Sequence, residues 1–90
     1  MIQYEFEISG RVQGVNFRQF VKNKAKNLNI NGWVKNLHNG NVQVMAQGDN
    51  PDIETLEDYL KTGPSMARVK NISKYKVESM DNFSGFNIKY

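Results

Sequence analysis

The chain of 90 residues contains no cysteine and only one histidine. Without cysteine it has no disulfide, thiolate metal site, iron–sulfur cluster or cysteine nucleophile. A single histidine excludes metal sites that need several histidines and argues against a histidine-centred catalytic triad. No apolar run approaches the roughly 20 residues of a membrane-spanning helix, so we expect no membrane association. The composition is that of a soluble globular protein, and we expect one monomeric domain over residues 1–90.

The N-terminus lacks the features of a secretory signal. Residues 1–7 alternate between apolar and polar side chains and include Glu5 and Glu7. A signal peptide has instead a basic start followed by an apolar core. We therefore expect a cytoplasmic protein.

Acidic residues are missing from a long part of the chain. No Asp or Glu occurs between residues 8 and 48, and the cations of this stretch are Arg11, Arg18, Lys22, Lys24, Lys26 and Lys35. A stretch with charge of one sign raises the local potential and attracts anions. The pattern fits a solvated lysine-rich helix face or an anionic ligand near residues 11–35. Charge alone does not distinguish a small phosphate from a nucleic acid.

Apolar periodicity predicts the order β-α-β-β-α-β, followed by a short fifth strand. The predicted elements are a strand at 2–9, a helix at 17–28, strands at 33–37 and 42–46, a helix with Asn50 as N-cap and Pro51 as its first residue, and strands at 69–78 and 85–90. Asn39-Gly40 predicts a hairpin turn, and the irregular alternation at 69–78 indicates a β-bulge. Two helices on one face of a mostly antiparallel sheet make a ferredoxin-like α+β sandwich.

This connectivity brings distant residues together. In a split βαβ unit the first two strands run parallel, with another strand between them, so both end at the same edge of the sheet. The glycine-punctuated loop at 10–16 follows the first strand, and Asn36 lies at the end of the second. We therefore expect the loop and Asn36 to meet.

Residues 10–18 have the features of an anion-binding loop. They lead into a helix, whose first turn has unpaired N–H groups and the positive end of the helix dipole. Glycines let successive amides point into one concavity, and Arg18 offers a planar fork to two phosphate oxygens. The spacing is neither that of a Walker A loop nor Gly-x-Gly-x-x-Gly. On spacing alone, an ordinary strand-to-helix turn with an exposed arginine is the better interpretation.

Four segments, taken together, are far more specific than this spacing. They are GRVQGVNFR at 10–18, GWVKN at 32–36, GPSMARV at 63–69 and GFNIKY at 85–90. In this order they resemble the acylphosphatase family over essentially the whole chain. The family fold is the same ferredoxin-like sandwich that periodicity predicts.

The resemblance implies hydrolysis of an acyl phosphate to a carboxylate and inorganic phosphate, by in-line attack of water at phosphorus. It gives Arg18 the role of binding the phosphoryl group and Asn36 that of orienting the water. The backbone amides that would cradle the phosphoryl oxygens belong to Gln13, Gly14, Val15, Asn16, Phe17 and Arg18. No metal or organic cofactor is implied, and inorganic phosphate is expected as product and competitive inhibitor.

The chain departs from the family pattern at three positions. Asn16 stands where the family usually has a bulky, aromatic or small apolar residue, and Asn39 and Gln43 stand where acids are common. Asn16 lies inside the loop, so we expect its side chain to compete for nearby backbone hydrogen bonds. Neither Arg18 nor Asn36 is replaced.

Two other classes of function are compatible with this fold. An RNA-recognition module of this fold stacks bases on aromatic residues of the two central strands. Alternation places Tyr4 and Phe6 on the same face as Ile2 and Ile8, the expected core face, and residues 41–47 contain no aromatic side chain. Because the bases would then have no exposed aromatic rings on which to stack, we expect no nucleic-acid partner. A catalytically silent regulatory domain would be expected to lack Arg18 or Asn36.

The remaining candidate residues are assigned structural or secondary roles. We expect Trp33 and Phe20 to pack in the core and His38 to be a solvated turn residue. Arg11 could add positive potential at the loop.

Overall fold

Strands and helices follow one another in the predicted order. We analysed a computed structural model that describes residues 1–78 and 81–90. Its elements are β1 (Ile2–Arg11), α1 (Phe17–Asn27), β2 (Asn31–Asn36), β3 (Val42–Gly48), α2 (Asn50–Thr62), β4 (Arg68–Lys76) and β5 (Phe86–Lys89). No helix among these residues has both the length and the apolar character needed to cross a membrane.

The strands form one sheet with the order β4-β1-β3-β2-β5. β3 pairs antiparallel with both β1 and β2, so β1 and β2 run parallel and end at the same edge. β5 pairs parallel with β2 and therefore ends at this edge as well. The sheet is the predicted ferredoxin-like arrangement, and it places three strand ends beside one another.

The core lies between the sheet and the two helices. Alternation in β1 buries Phe6 and Ile8, and alternation in β3 buries Val42, Val44 and Ala46 on the same face. The helices complete the core with Phe17, Val21 and Ala25 from α1 and Ile53, Leu56 and Leu60 from α2. Helical spacing places these residues on one stripe of each helix, and their burial holds both helices on one side of the sheet.

A β-bulge interrupts the pairing of β1 with β4, as the irregular alternation predicted. Ser9 pairs with Asn71 but Gly10 pairs with Val69, which leaves Lys70 as the extra residue. Gly10 has a φ of 124°, and a Cβ there would collide with the carbonyl oxygen of Arg68. The position therefore requires glycine, and it lies within β1, not in the following loop as the sequence suggested.

Several predicted boundaries shift by a few residues. Asp49, not Asn50, is the N-cap of α2, because its carbonyl oxygen accepts the first helical bond from Ile53 N at 3.0 Å. β2 starts at Asn31, two residues before the predicted start, and β4 ends at Lys76. The hairpin turn is confirmed: Leu37 N donates to Asn41 O at 2.8 Å.

The prediction that Trp33 packs in the core is wrong. Trp33 alternates with buried Val34 and so lies on the sheet face away from the helices. There the ammonium groups of Lys35 and Lys89 lie 5.2 and 4.5 Å from its ring centroid. By the same alternation, Asn36 lies on the face of the sheet that packs against the helices. Phe20, by contrast, packs against the core as expected.

Candidate active site

A cavity opens at the edge where β1, β2 and β5 end. Its lining comes from the loop and the start of α1 (residues 12, 14 and 16–19), from Asn36 of β2, and from Ile88 and Tyr90. The cavity volume is about 280 Å³, the size of a small-molecule site. The loop and Asn36 thus meet, as the connectivity predicted.

Apolar anchors and two left-handed residues shape the loop. Val12 and Val15 are buried and hold the loop on the core. Gly14 (φ 73°) and Asn16 (φ 67°) turn the chain between and after these anchors. Asparagine is one of the few side chains that adopt this conformation readily, which explains why it is tolerated at the N-cap of α1. Its side chain makes no capping hydrogen bond, so the expected competition for backbone groups is wrong.

The loop and the first turn of α1 present free backbone donors. Among the described residues, none accepts a hydrogen bond from the backbone N–H of any residue from 13 to 19. The first such bond of the helix runs from Phe20 N to Asn16 O at 3.1 Å. The first turn carries no acidic side chain. This end of the helix therefore combines unpaired donors with the positive end of the helix dipole.

Gln13 fixes the loop beside the end of β2. Its Nε2 donates to Leu37 O at 2.8 Å and to Asn41 O at 2.9 Å. Both acceptors belong to the hairpin that follows Asn36. Asn41 in turn donates to the Glu7 carboxylate. The Gln13 side chain therefore points away from the cavity and connects the loop to the hairpin.

Asn36 supplies a polar group without a partner. Its Oδ1 is buried and accepts no hydrogen bond from any described residue. An unpartnered buried acceptor costs about 1–3 kcal/mol, so such groups are uncommon in folded proteins. Because Asn36 lines the cavity, a donor bound there would satisfy this oxygen.

Arg18 provides the only charged side chain among the described residues that line this cavity. Within residues 1–78 and 81–90, the ion pairs both use Glu57 of α2, which contacts Lys74 at 2.8 Å and Lys61 at 3.8 Å. The hydrogen bond to Glu57 raises the pKa of Lys74. Arg18 has no carboxylate partner in this part of the chain, and its Cζ lies 4.9 Å from the centroid of the Tyr90 ring. Its charge is therefore available to an anion.

The structure brings most of the predicted site residues to one cavity. Gly14, Asn16, Phe17, Arg18 and Asn36 line it. Gln13 and Val15 were also predicted to belong to the site, but neither is among the lining residues. The Gln13 side chain is bonded to the hairpin, and the Val15 side chain is buried. Gly14 and Asn16 are exposed at the cavity, whereas Phe17 extends from it into the core.

Sequence reasoning missed four lining residues: Val12, Gln19, Ile88 and Tyr90. The last two belong to the segment at 85–90, which resembles the family but to which the resemblance gives no role. Its parallel pairing with β2 was not predicted. No group of three or more metal-ligating side chains occurs in the described parts of the chain, and a metal-free reaction stays a prediction.

Comparison with known proteins identifies the family. The family model described as Acylphosphatase matches residues 4–88. An acylphosphatase of Geotalea uraniireducens is 40% identical over 83 residues, which cover 92% of this chain and 91% of the relative. One of Clostridium beijerinckii is 39% identical over 90 residues and covers 100% of both chains. The crystal structure of acylphosphatase from Bacillus subtilis has a TM-score of 0.97, 36% identity and 100% coverage of both chains. The chain belongs to the acylphosphatase family, whose activity is the hydrolysis of acyl phosphates.

Proposed function

We propose that the cavity is the catalytic site, with Arg18 binding the phosphoryl group and Asn36 orienting the attacking water. The observation that carries this proposal is a match of free hydrogen-bonding groups. Free backbone donors, an arginine without a carboxylate partner and an acceptor without a donor meet at one cavity. A phosphoryl group supplies acceptors to the first two, and a water molecule supplies a donor to the third.

The phosphoryl group is held by charge and by geometry. The Arg18 guanidinium binds two of its oxygens through a planar fork, and the backbone amides of residues 13 to 18 bind the others. Phosphoryl transfer depends mainly on positioning and on stabilising the charge on the equatorial oxygens. Donors fixed in the loop before the substrate binds need little reorganisation during the reaction.

Asn36 acts on the water and not as a base. An amide oxygen accepts a hydrogen bond from water, and the amide N–H donates to a phosphate oxygen. The water oxygen bonds to phosphorus as the bond from phosphorus to the acyl oxygen breaks, and the water proton passes to a phosphate oxygen of the substrate. Asn36 contributes by orientation, which removes an entropic part of the barrier.

The leaving group explains why the cavity needs no general acid. The acyl oxygen leaves as a carboxylate, whose conjugate acid has a pKa of about 4, similar to that of a side-chain carboxyl group. Such a group departs without being protonated. The reaction therefore needs no side chain in the cavity that donates a proton to the leaving group.

The partner is a small acyl phosphate, with inorganic phosphate as product and competitive inhibitor. A phosphate ion would use the same loop amides and Arg18 as the substrate. A monomeric state, a single domain over residues 1–90 and a cytoplasmic location stay predictions from the sequence.

The test is the hydrolysis of benzoyl phosphate in the presence of a metal chelator. We expect Arg18→Ala to lower kcat/KM by about a thousandfold or more, because it removes the charged fork from the transition state. Asn36→Ala should lower kcat by about a hundredfold with little change in KM.

Two control variants remove an arginine and an asparagine side chain outside the cavity. Arg68→Ala removes an exposed arginine from β4, outside the cavity, and Asn27→Ala removes an exposed asparagine from the far end of α1. Both should retain wild-type kinetics. Near-wild-type turnover by Arg18→Ala would refute the phosphoryl site, and a change in KM alone for Asn36→Ala would refute water orientation.

A further inference from the structure

The cavity has a buried floor and an exposed mouth. Asn36, with its buried Oδ1, lies at the floor. Gly14, Asn16 and Gln19 are exposed around the opening, and Tyr90 is 99% exposed. The burial of the lining residues therefore defines a direction from the floor outward to solvent.

This direction determines where the acyl group lies. In an in-line displacement the entering and leaving oxygens are on opposite sides of phosphorus. A water held by Asn36 at the floor directs the leaving group toward the mouth. Residues around the mouth therefore contact the acyl group, while the loop amides and Arg18 contact the phosphoryl group.

Tyr90 is the aromatic residue at the mouth. Of the other exposed lining residues, Gly14 has no side chain, and Asn16 and Gln19 carry neutral amides. The Tyr90 ring has the Arg18 guanidinium 4.9 Å from its centroid, and its high exposure leaves ring surface free for a ligand. Ile88, two residues earlier on β5, is half-buried and adds an apolar wall below it.

We propose that Tyr90 forms an acyl subsite that gives the enzyme a preference for aromatic over short aliphatic acyl phosphates, an inference that rests on the proposed function. A flat aromatic acyl group stacks on the exposed ring, whereas an acetyl group offers little area for contact. Of the lining residues that the structure describes, Arg18 alone is charged. In the proposed reaction its guanidinium binds the phosphoryl group. The subsite therefore supplies no second cation for an acyl group that carries its own negative charge.

The test compares kcat/KM for benzoyl phosphate and acetyl phosphate in the full chain. Tyr90→Ala should reduce both values, since Arg18 loses the ring beside it. The value for benzoyl phosphate should fall about tenfold further, as expected for the loss of aromatic stacking together with buried area. Tyr90→Phe keeps the ring face and should retain the wild-type ratio within about twofold.

Tyr75→Ala is the matched control, because Tyr75 is 61% exposed on β4 and does not line the cavity. The measured quantity is the ratio of kcat/KM for benzoyl phosphate to kcat/KM for acetyl phosphate. The acyl subsite is overturned if this ratio is unchanged in Tyr90→Ala. It is also overturned if the ratio falls as much in Tyr90→Phe or in Tyr75→Ala as it does in Tyr90→Ala. In those cases the proposed function stands if both substrates are hydrolysed and Arg18→Ala is inactive. Failure of the wild type to hydrolyse either compound would overturn the proposed function together with the subsite.

Discussion

The two ends of the sheet differ in how their buried polar groups are hydrogen-bonded. At the end far from the cavity, buried Gln3 donates to Asp81 Oδ2 at 2.8 Å and accepts from Asp81 N at 3.1 Å. Buried Gln47 donates to Gln3 Oε1 at 3.2 Å and to Asp81 O at 2.7 Å. At the cavity end, Asn36 Oδ1 and the backbone N–H groups of residues 13 to 19 have no partner among the described residues.

This difference separates a structural polar group from a ligand-binding one. A buried group with its partners in place stabilises the fold and specifies how segments dock, as Gln3 does for Asp81. A group without partners costs stability and is retained where a ligand completes it. The same amide chemistry therefore has opposite consequences at the two ends of the sheet.

The largest effect on stability is expected at the end of the sheet where the buried amides of Gln3 and Gln47 have hydrogen-bond partners. Gln3→Ala removes three hydrogen bonds and leaves the buried Gln47 amide with fewer partners. We expect the free energy of unfolding in urea to fall by about 2–4 kcal/mol. Gln43→Ala is the control, because Gln43 is a half-buried residue of β3 on the same face and makes no side-chain hydrogen bond to a described residue.

For Gln43→Ala we expect the free energy of unfolding to fall by less than about 1 kcal/mol. If Gln3→Ala were no more destabilising than this control, the network would have no structural role. The contrast between the two ends would then disappear.

A ligand should stabilise the cavity end by completing its free groups. Inorganic phosphate at ten times its Kd should raise the free energy of unfolding by about 1.4 kcal/mol, because it binds the folded state alone. Sodium chloride at equal ionic strength should not. The gain should vanish in Arg18→Ala and persist in Arg68→Ala. An equal gain in all three proteins would indicate a general salt effect instead of a site.

The smallest effect on stability is expected for Asn36, although its effect on turnover is large. Asn36→Ala removes an acceptor that has no partner, so the lost packing is offset by relief of the desolvation cost. We expect the free energy of unfolding to change by less than about 1 kcal/mol. A loss as large as that expected for Gln3→Ala would mean that Asn36 has a structural hydrogen bond and that the two ends are alike.

The order of elements was predictable because periodicity reflects which face of each element is buried. The period of two in β1 and the helical spacing in α1 both appear directly in the burial of Phe6, Ile8, Val21 and Ala25. The N-cap of α2 was misplaced by one residue because Asp49 and Asn50 are both good caps. Trp33 was misplaced because an aromatic residue suggests burial, whereas its position in the alternation of β2 decides its face.

Within the site, the residues with a proposed chemical role were easier to predict than those that position them. The segments at 10–18 and 32–36 indicated Arg18 and Asn36 through their resemblance to the family. The bonds from Gln13 to Leu37 and Asn41 were not predicted, because nothing in the local sequence specifies a contact across 24 or 28 positions. Tyr90 was missed for the same reason, since its location follows from the parallel pairing of β5 with β2.

By itself, the sequence determined the elements, the acid-free stretch and the types of side chain available for chemistry. The elements follow from the periodicity of apolar residues that lie close together in the chain, and the other two properties follow from composition. Only the tertiary structure decided which groups remain without partners and which residues surround them. Whether an amide is satisfied, as in Gln3, or unpartnered, as in Asn36, depends on strands and loops that are far apart in sequence but adjacent in the folded protein.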